Sequence, residues 1–384
     1  MKSVLNVVAA VASAWALVLC LTSPAAADIK VGAILAETGG ASFLGGPEAR
    51  TIRMQVDEIN AKGGINGEKI QLIVKDSAAN PQKAISFAKQ LIEEEKVIAI
   101  LGPSTSGESM KLKAICEKSQ TILLSCGAAE VIVNPVAKWV FKTPQTDSFA
   151  AQKIFMTMNE LGLSKIAILA GNTGFGKAGR AQLKKYAPQF KITIVEDEVY
   201  DKKATDLSAV VAKIKANKDV QAVVNWSIVP AQAIVAKNMR QAGWKVPLFQ
   251  SHGFGNVKYI EAAGAAAEGI IFPSGRLLAA DVLADSNPQK SLLVKYSKDY
   301  EAKYKEQAST FGGHGYDAIM ILAKAIENAG SSDKAKVRDA IEGLKGFAGT
   351  GGVYNFSATD HNGLGIDAFE MMTVKGGKFV LYKK

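Results

Sequence analysis

A strand–helix alternation that runs, stops and starts again is the feature that most constrains how this chain can fold. From Asp28 the β-rich run 29–35 leads through a glycine-rich stretch, 38–46, into a helical pattern over 47–61. Pro47 suits the first turn of that helix, where its missing N–H costs nothing. A strand follows at 69–75, and Asn80-Pro81 then supplies a cap and a first-turn proline for the next helix. Strands at 97–101 and 121–125 flank a helix running from about Gly107 to Lys118. Repeated strand–helix–strand units predict a mostly parallel sheet with helices on both faces.

The pattern pauses at Val140-Phe141-Lys142-Thr143-Pro144 and restarts, with strands at 166–170, 192–199, 222–225 and 248–250. After Ile270-Ile271-Phe272-Pro273 it turns mainly helical from 289 to 346, and two short strand-like runs, 368–374 and 378–381, finish it. A chain of 384 residues exceeds one ordinary core. The expected architecture is therefore α/β, with two Rossmann-like lobes and a cleft between them. The first lobe is expected to take 28–145 plus 275–353, and the second 146–274 plus 354–384. Ligands of such sheets sit beyond the carboxyl ends of the strands, which places a site in the cleft.

The first 27 residues read differently. Lys2, an apolar run from Val4 to Leu21 and Ala25-Ala26-Ala27 have the layout of a secretory signal peptide cleaved after Ala27. A membrane anchor is the competing reading, but Ala, Ser and Asn6 dilute the run. Lipid attachment at Cys20 is disfavoured by the bulky Leu19 before it. The mature chain is expected to be soluble and exported. Cys116 and Cys126 fall on elements that hold them too far apart to pair, so two buried thiols are expected.

The net charge of +10 invites a nucleic-acid partner, yet its lysines are scattered singly along helices without an arginine stripe or interleaved aromatics. It reads as a solvated surface. His252, His314 and His361 lack metal-ligand spacing, so no metal site is expected. The run Gly171-Asn172-Thr173-Gly174-Phe175-Gly176 is not in dinucleotide-loop order, and nothing resembles a nucleophile elbow. Neither cofactor nor catalysis is expected.

One motif points to a ligand. Gly102-Pro103-Ser104-Thr105-Ser106-Gly107 follows an apolar strand and opens a helix. The unpaired N–H groups and positive dipole end of such a helix favour a small anion, and the hydroxyls add donors. Simple capping is the plain alternative.

The sequence Asp57-Glu58-Ile59-Asn60-Ala61-Lys62-Gly63-Gly64-Ile65-Asn66-Gly67 resembles a helix-end signature of periplasmic binding proteins of the leucine/isoleucine/valine type, which serve ABC importers. Lys75-Asp76-Ser77, Asn80-Pro81, Gly102-Pro103, Ala267-Glu268-Gly269 and Phe175-Gly176 extend the likeness across nearly all of the mature chain. The resemblance implies a type I periplasmic binding protein, a monomer whose hinged lobes close on a small carboxylate and then engage a membrane permease.

Carried over residue by residue, the resemblance assigns Ser106 and the Gly127-Ala128-Ala129 loop to the ligand carboxylate, with Ala129 where the family has a threonine. Phe175 and Ile228 stand at tyrosine positions, and Leu44 where a tryptophan can occur, with Phe43 beside it. His252 stands where amino-acid binders place the glutamate that pairs with the ligand ammonium. A neutral imidazole supplies no counter-charge, and an unpaired buried ammonium costs several kcal/mol. The expected ligand is an apolar or aromatic carboxylate, or a 2-oxo acid, without an α-ammonium. His314 is expected at the cleft, within reach of a ring hydroxyl. Glu130 is the residue that would restore amino-acid binding if its carboxylate reached the ligand.

Overall fold

The computed structural model describes residues 28–383, so the signal-peptide reading and Cys20 lie outside the described residues. Five strands, β1 (Ile29–Leu35), β2 (Ile70–Asp76), β3 (Ala99–Leu101), β4 (Ile122–Ser125) and β5 (Val140–Lys142), form one sheet in the order β2-β1-β3-β4-β5. All its pairings are parallel. Helices α1 (Ser42–Ala61), α2 (Pro81–Glu93) and α3 (Ser106–Ser119) make the crossovers between the first four. Alternate side chains serve two cores, with Val31, Ala33 and Leu35 on one face and Ile34, Ile100 and Leu123 on the other. Burial on both faces is why these strands read as nearly continuous apolar runs.

The second sheet has the order β14-β13-β10-β9-β8-β6-β7. Strands β6 (Lys165–Gly171), β7 (Thr193–Tyr200), β8 (Ala222–Trp226), β9 (Leu248–Gln250) and β10 (Ile271–Ser274) are parallel. The closing hairpin, β13 (Glu370–Lys375) and β14 (Lys378–Leu381), adds antiparallel beyond β10. A small pair, β11 (Phe347–Ala348) and β12 (Val353–Tyr354), stands apart. Its helices include α4 (Asp147–Glu160) and, after β6, α5 (Gly174–Tyr186); α6 (Ser208–Ala216), α7 (Ala231–Gln241) and α8 (Val257–Ala263) follow in turn.

The helical tail consists of α9 (Lys290–Tyr304), α10 (Thr310–Ala329) and α11 (Lys334–Glu342), and it returns to the first sheet. Ala318, Ile319 and Leu322 of α10 pack with Ile52 and Val56 of α1 in the first core. Tyr354, Phe356, Leu364 and Ala368 join that core as well, and Phe369 is the first residue of the ending to enter the second. The chain therefore crosses back near 369, later than the division at 353/354 expected from pattern alone. Nothing local in the sequence shows that the segment after β12 packs on a first-lobe ring, as Phe356 does edge-on against Phe141 of β5, with centroids 6.0 Å apart.

Helix α1 also departs from expectation. It begins at Ser42, so Pro47 sits at its sixth position instead of its first turn. A proline there has no N–H for the carbonyl of Phe43, four residues earlier. That carbonyl accepts instead from Asn256 Nδ2 of the second lobe, at 2.8 Å.

Candidate functional site

The site forms where the carboxyl ends of both sheets face each other. In the first lobe it lies by the switch point, with β1 and β3 adjacent and their connections leaving in opposite directions. The hydroxyls of the 102–107 motif divide their work there. Thr105 caps α3, accepting from Glu108 N at 3.3 Å and donating to Glu108 Oε2 at 2.6 Å. Ser104 Oγ accepts from Ala36 N at 3.0 Å and donates to the buried Glu48 carboxyl. Ser106 Oγ accepts from Ala129 N at 3.2 Å, and its own proton has no acceptor among the described residues. Capping thus accounts for Thr105 and leaves Ser106 available to a ligand.

Gly127 brings the 127–129 loop against α3. A Cβ there would lie 2.9 Å from Ser106 Cα, so only glycine allows the approach. A second pair of glycines sets the distance between the lobes. A Cβ on Gly174, at the start of α5, would lie 2.6 Å from Gly107 Cα, near the start of α3. Two positive helix ends therefore meet almost backbone to backbone, an arrangement that an anion between the lobes stabilises.

Behind that contact the lobes enclose a space of about 20 Å³ lined by Leu44, Ser104, Ser106, Cys126, Ala128, Phe175, Ile228, His252, Gly253, Phe311 and His314. This is room for about one water. A wider chamber of about 480 Å³ lies outside and shares Phe175 and Ile228 as wall. Polar bonds hold the lobes closed. Besides Asn256 to Phe43, Gln182 Nε2 donates to Glu130 Oε2 at 2.7 Å, and Thr310 N and Oγ1 both donate to the Gly255 carbonyl at 3.1 Å.

Seven residues singled out from sequence line the inner space: Leu44, Ser106, Ala128, Phe175, Ile228, His252 and His314. Two do not. Ala129 contributes its N–H to Ser106, while the Phe43 ring packs edge-on against Tyr259 with centroids 5.3 Å apart. Glu130 is also absent from the lining, because Asn134 and Gln182 take its carboxylate oxygens at 3.0 and 2.7 Å. Cys126, Gly253 and Phe311 join the lining without a sequence signal, and Ser104 joins it from the hydroxyl motif. Phe311 lies one helical turn before His314. Nothing local marked Cys126, which is a buried free thiol like Cys116.

His252 begins a single helical turn after β9 that Ser251 Oγ caps by accepting from Gly253 N at 3.2 Å. Its ring sits among Phe175, Trp226 and Phe369, with centroids 5.2, 5.7 and 5.5 Å away. It is 7% exposed, and neither ring nitrogen has a partner. His314, in the first turns of α10, is 6% exposed and its Nδ1 is also unpaired. Burial holds His252 well below the ordinary imidazole range, with the Lys142 and His314 charges acting the same way. Burial, then Lys142, takes His314 down to about 3. Both rings are neutral at physiological pH. Behind Ser104, burial pushes the Glu48 carboxyl up to about 8. Among the described residues no cluster of His, Cys, Asp and Glu is suited to a metal ion.

Two parallel-sheet lobes closed over a small cavity of hydroxyl, imidazole and apolar walls define a two-lobed ligand-binding protein. The profile of the periplasmic binding protein family matches residues 28–378, and the chain belongs to that family. It is 25% identical over 347 residues to a leucine-, isoleucine-, valine-, threonine- and alanine-binding protein of Pseudomonas aeruginosa, covering 88% of this chain and 90% of that one. It is 28% identical over 366 residues to a Leu/Ile/Val-binding protein homolog of Brucella abortus, covering 93% and 94%. Among solved structures it is similar to an extracellular ligand-binding receptor from Rhodopseudomonas palustris, with TM-score 0.86, 26% identity, and 92% and 99% of the two chains covered. A branched-chain amino acid transporter substrate-binding protein from Streptococcus pneumoniae, in complex with isoleucine, matches with TM-score 0.81 and 28% identity over 92% and 97%.

The fold is that of a type I periplasmic binding protein. The chain is a solute-binding protein of the periplasmic binding protein family, not an enzyme, and the Pseudomonas relative and Streptococcus structure named above are amino-acid-binding proteins. Such proteins bind small molecules and work with ABC transporter permeases.

Proposed function

We propose that this protein captures a small apolar or aromatic carboxylate, without an α-ammonium, and presents it to the permease of an ABC importer. The observation that carries this is the lining of the closed cavity. Ser106 offers a free hydroxyl proton beside two helix N-termini, while no carboxylate lines the space and His252 stands in apolar surroundings. A carboxylate finds donors there, whereas an ammonium finds no counter-charge. Leu44, Phe175, Ile228 and Phe311 suit an aromatic or branched body. Because the inner space is so small, the lobes must part for the ligand to enter and then close again around it, with its body extending toward the wider chamber outside. In this reading one chain supplies both walls of the site and acts as a monomer, exported under a signal peptide that is cleaved after Ala27.

Hydrophobic amino acids are the second reading. The Pseudomonas relative and the Streptococcus structure with isoleucine favour it, and it would need Glu48, one hydroxyl behind the wall, to answer the ammonium. A thermal-shift screen of the ligand-stripped protein separates the two. Benzoate, phenylpropionate and 2-oxo acids are set against leucine, isoleucine, valine and phenylalanine. A ligand at 100 times its Kd adds about 2.7 kcal/mol. Stabilisation by the acids alone supports the proposal, and stabilisation by the amino acids replaces it with the second reading.

A further inference from the structure

We infer that the ligand carries, besides its carboxylate, an uncharged hydroxyl that His252 and His314 receive from opposite lobes; this rests on the carboxylate reading above. The carboxylate donors do not account for these histidines. Both nitrogens of His252 and Nδ1 of His314 are buried without partners, and both rings line the same small space. Buried polar atoms are nearly always bonded, and leaving one unmet costs about 1–3 kcal/mol. Three such nitrogens around one cavity mark a place where a polar ligand group is met.

The chemistry of the rings selects that group. A neutral imidazole has one N–H donor and one bare nitrogen acceptor. His252 therefore presents one of each, and His314 Nδ1 adds whichever its tautomer sets. An ammonium only donates, so it leaves the N–H of each neutral ring unmet and finds no counter-charge in the lining. A second carboxylate only accepts, leaving the bare nitrogen of His252 unmet. A hydroxyl gives one hydrogen bond and takes another, so it can bridge one nitrogen of His252 and Nδ1 of His314, donating to one ring and accepting from the other, without adding charge. The rings of Phe175 and Phe369 beside His252 offer no polar partner, and the indole N–H of Trp226 next to it is itself buried and unpaired.

Because one histidine comes from each lobe, a hydroxyl between them also ties the lobes together. His252 follows β9 of the second lobe, and His314 lies on α10, which packs on the first. Closure and recognition of the hydroxyl are then one event, and an acid lacking the group would close the cleft over unmet nitrogens.

The test is calorimetric titration of the full mature chain with two matched pairs: benzoate against para-hydroxybenzoate, and phenylpropionate against para-hydroxyphenylpropionate. The hydroxylated member of at least one pair should bind about 10–100-fold more tightly, as expected for one satisfied hydrogen bond and one relieved orphan. His252→Phe and His314→Phe should each cut that ratio several-fold, with circular dichroism confirming that the variants fold. His252→Gln, which keeps a donor and an acceptor, should retain more of the ratio than His252→Phe. Equal or weaker binding of both hydroxylated acids overturns the inference and leaves the carboxylate reading standing. A hydroxyl preference that survives both Phe substitutions overturns the assignment to the histidines. Failure of all four acids, with binding of leucine or isoleucine instead, overturns the inference together with the reading beneath it.

Discussion

Asn256 and Phe43 are joined across the cleft by a hydrogen bond of 2.8 Å, from the Asn256 side-chain N–H to the Phe43 carbonyl. Pro47 frees that carbonyl by withholding the N–H of an ordinary helix. Asn256 Oδ1 is meanwhile held in its own lobe, accepting from Lys258 N at 3.0 Å as the cap of α8. One side chain therefore caps a helix and latches the lobes. Asn256→Asp keeps the cap but removes the donor and turns an anionic oxygen toward the carbonyl. Ligand affinity should fall about tenfold, near 1.4 kcal/mol, and small-angle scattering should show a more open particle. An unchanged radius of gyration and affinity would mean that closure is set elsewhere.

Ser106 is the clearest single test of the carboxylate site. Ser106→Ala removes the free donor and leaves the Ala129 N–H without its 3.2 Å acceptor. Binding of the best acid in the screen should weaken by about 1.5–3 kcal/mol, the range for a hydrogen bond to a charged group. Titration calorimetry measures it, and an unchanged Kd would remove Ser106 from the site.

Cleft closure should weaken in mild acid. His252 and His314 have lowered pKa values in the closed form, whereas an opened cleft returns them toward about 6.5. Lowered values mean that the closed form binds fewer protons. Its advantage is complete above about 6.5 and is lost progressively as pH falls below that, continuing for His314 down to about 3. Burial also pushes the Asp147 carboxyl up and the neighbouring Lys142 ammonium down, so the pair can add its own pH dependence. The double substitution His252→Phe/His314→Phe is therefore the control. Acid affinity should drop at least about tenfold from pH 7.5 to 5 in the parent, and clearly less in the double variant.

Glu48 predicts the opposite slope for stability. Burial raises its pKa to about 8 in the folded chain, so the folded form holds a proton that the unfolded form gives up. Its contribution is complete below about 4.5 and is lost as pH rises through 8. Glu48→Gln keeps an oxygen to accept from Ser104 and cannot ionise. Its melting midpoint should match the parent near pH 5 and exceed it by about 2–4 °C at pH 8. Parallel melting curves for the two proteins across that range would show that Glu48 does not ionise as argued.

How far the sequence could be read depended on how local each cause was. Asn80 accepts from Gln82 N and Lys83 N at 2.9 and 3.3 Å, and Pro81 takes the first helical position, as the dipeptide announces. Pro47 misled for the same reason, since its local preference is the first turn and its actual place depends on a donor 209 positions away in the chain. Glu130 misled likewise. Next to Ala129 it looks able to reach a ligand, but Gln182 of the opposing lobe has claimed its carboxylate.

The amino-acid sequence alone determined the two strand–helix series, the pause between them, and the hydroxyl-bearing turn at 102–107, because periodicity, caps and turn chemistry act over a few residues. It also carried the residue types of the cleft, including histidine at 252. Tertiary structure alone decided which of those residues share one cavity, that Gly107 and Gly174 bring two helix ends together, that Ser104 leans on Glu48, and that three imidazole nitrogens are left unmet. These depend on contacts between segments that are neighbours only once the lobes have closed. Burial, which sets both the cost of an unpaired polar atom and the charge of a histidine, exists only in the folded chain.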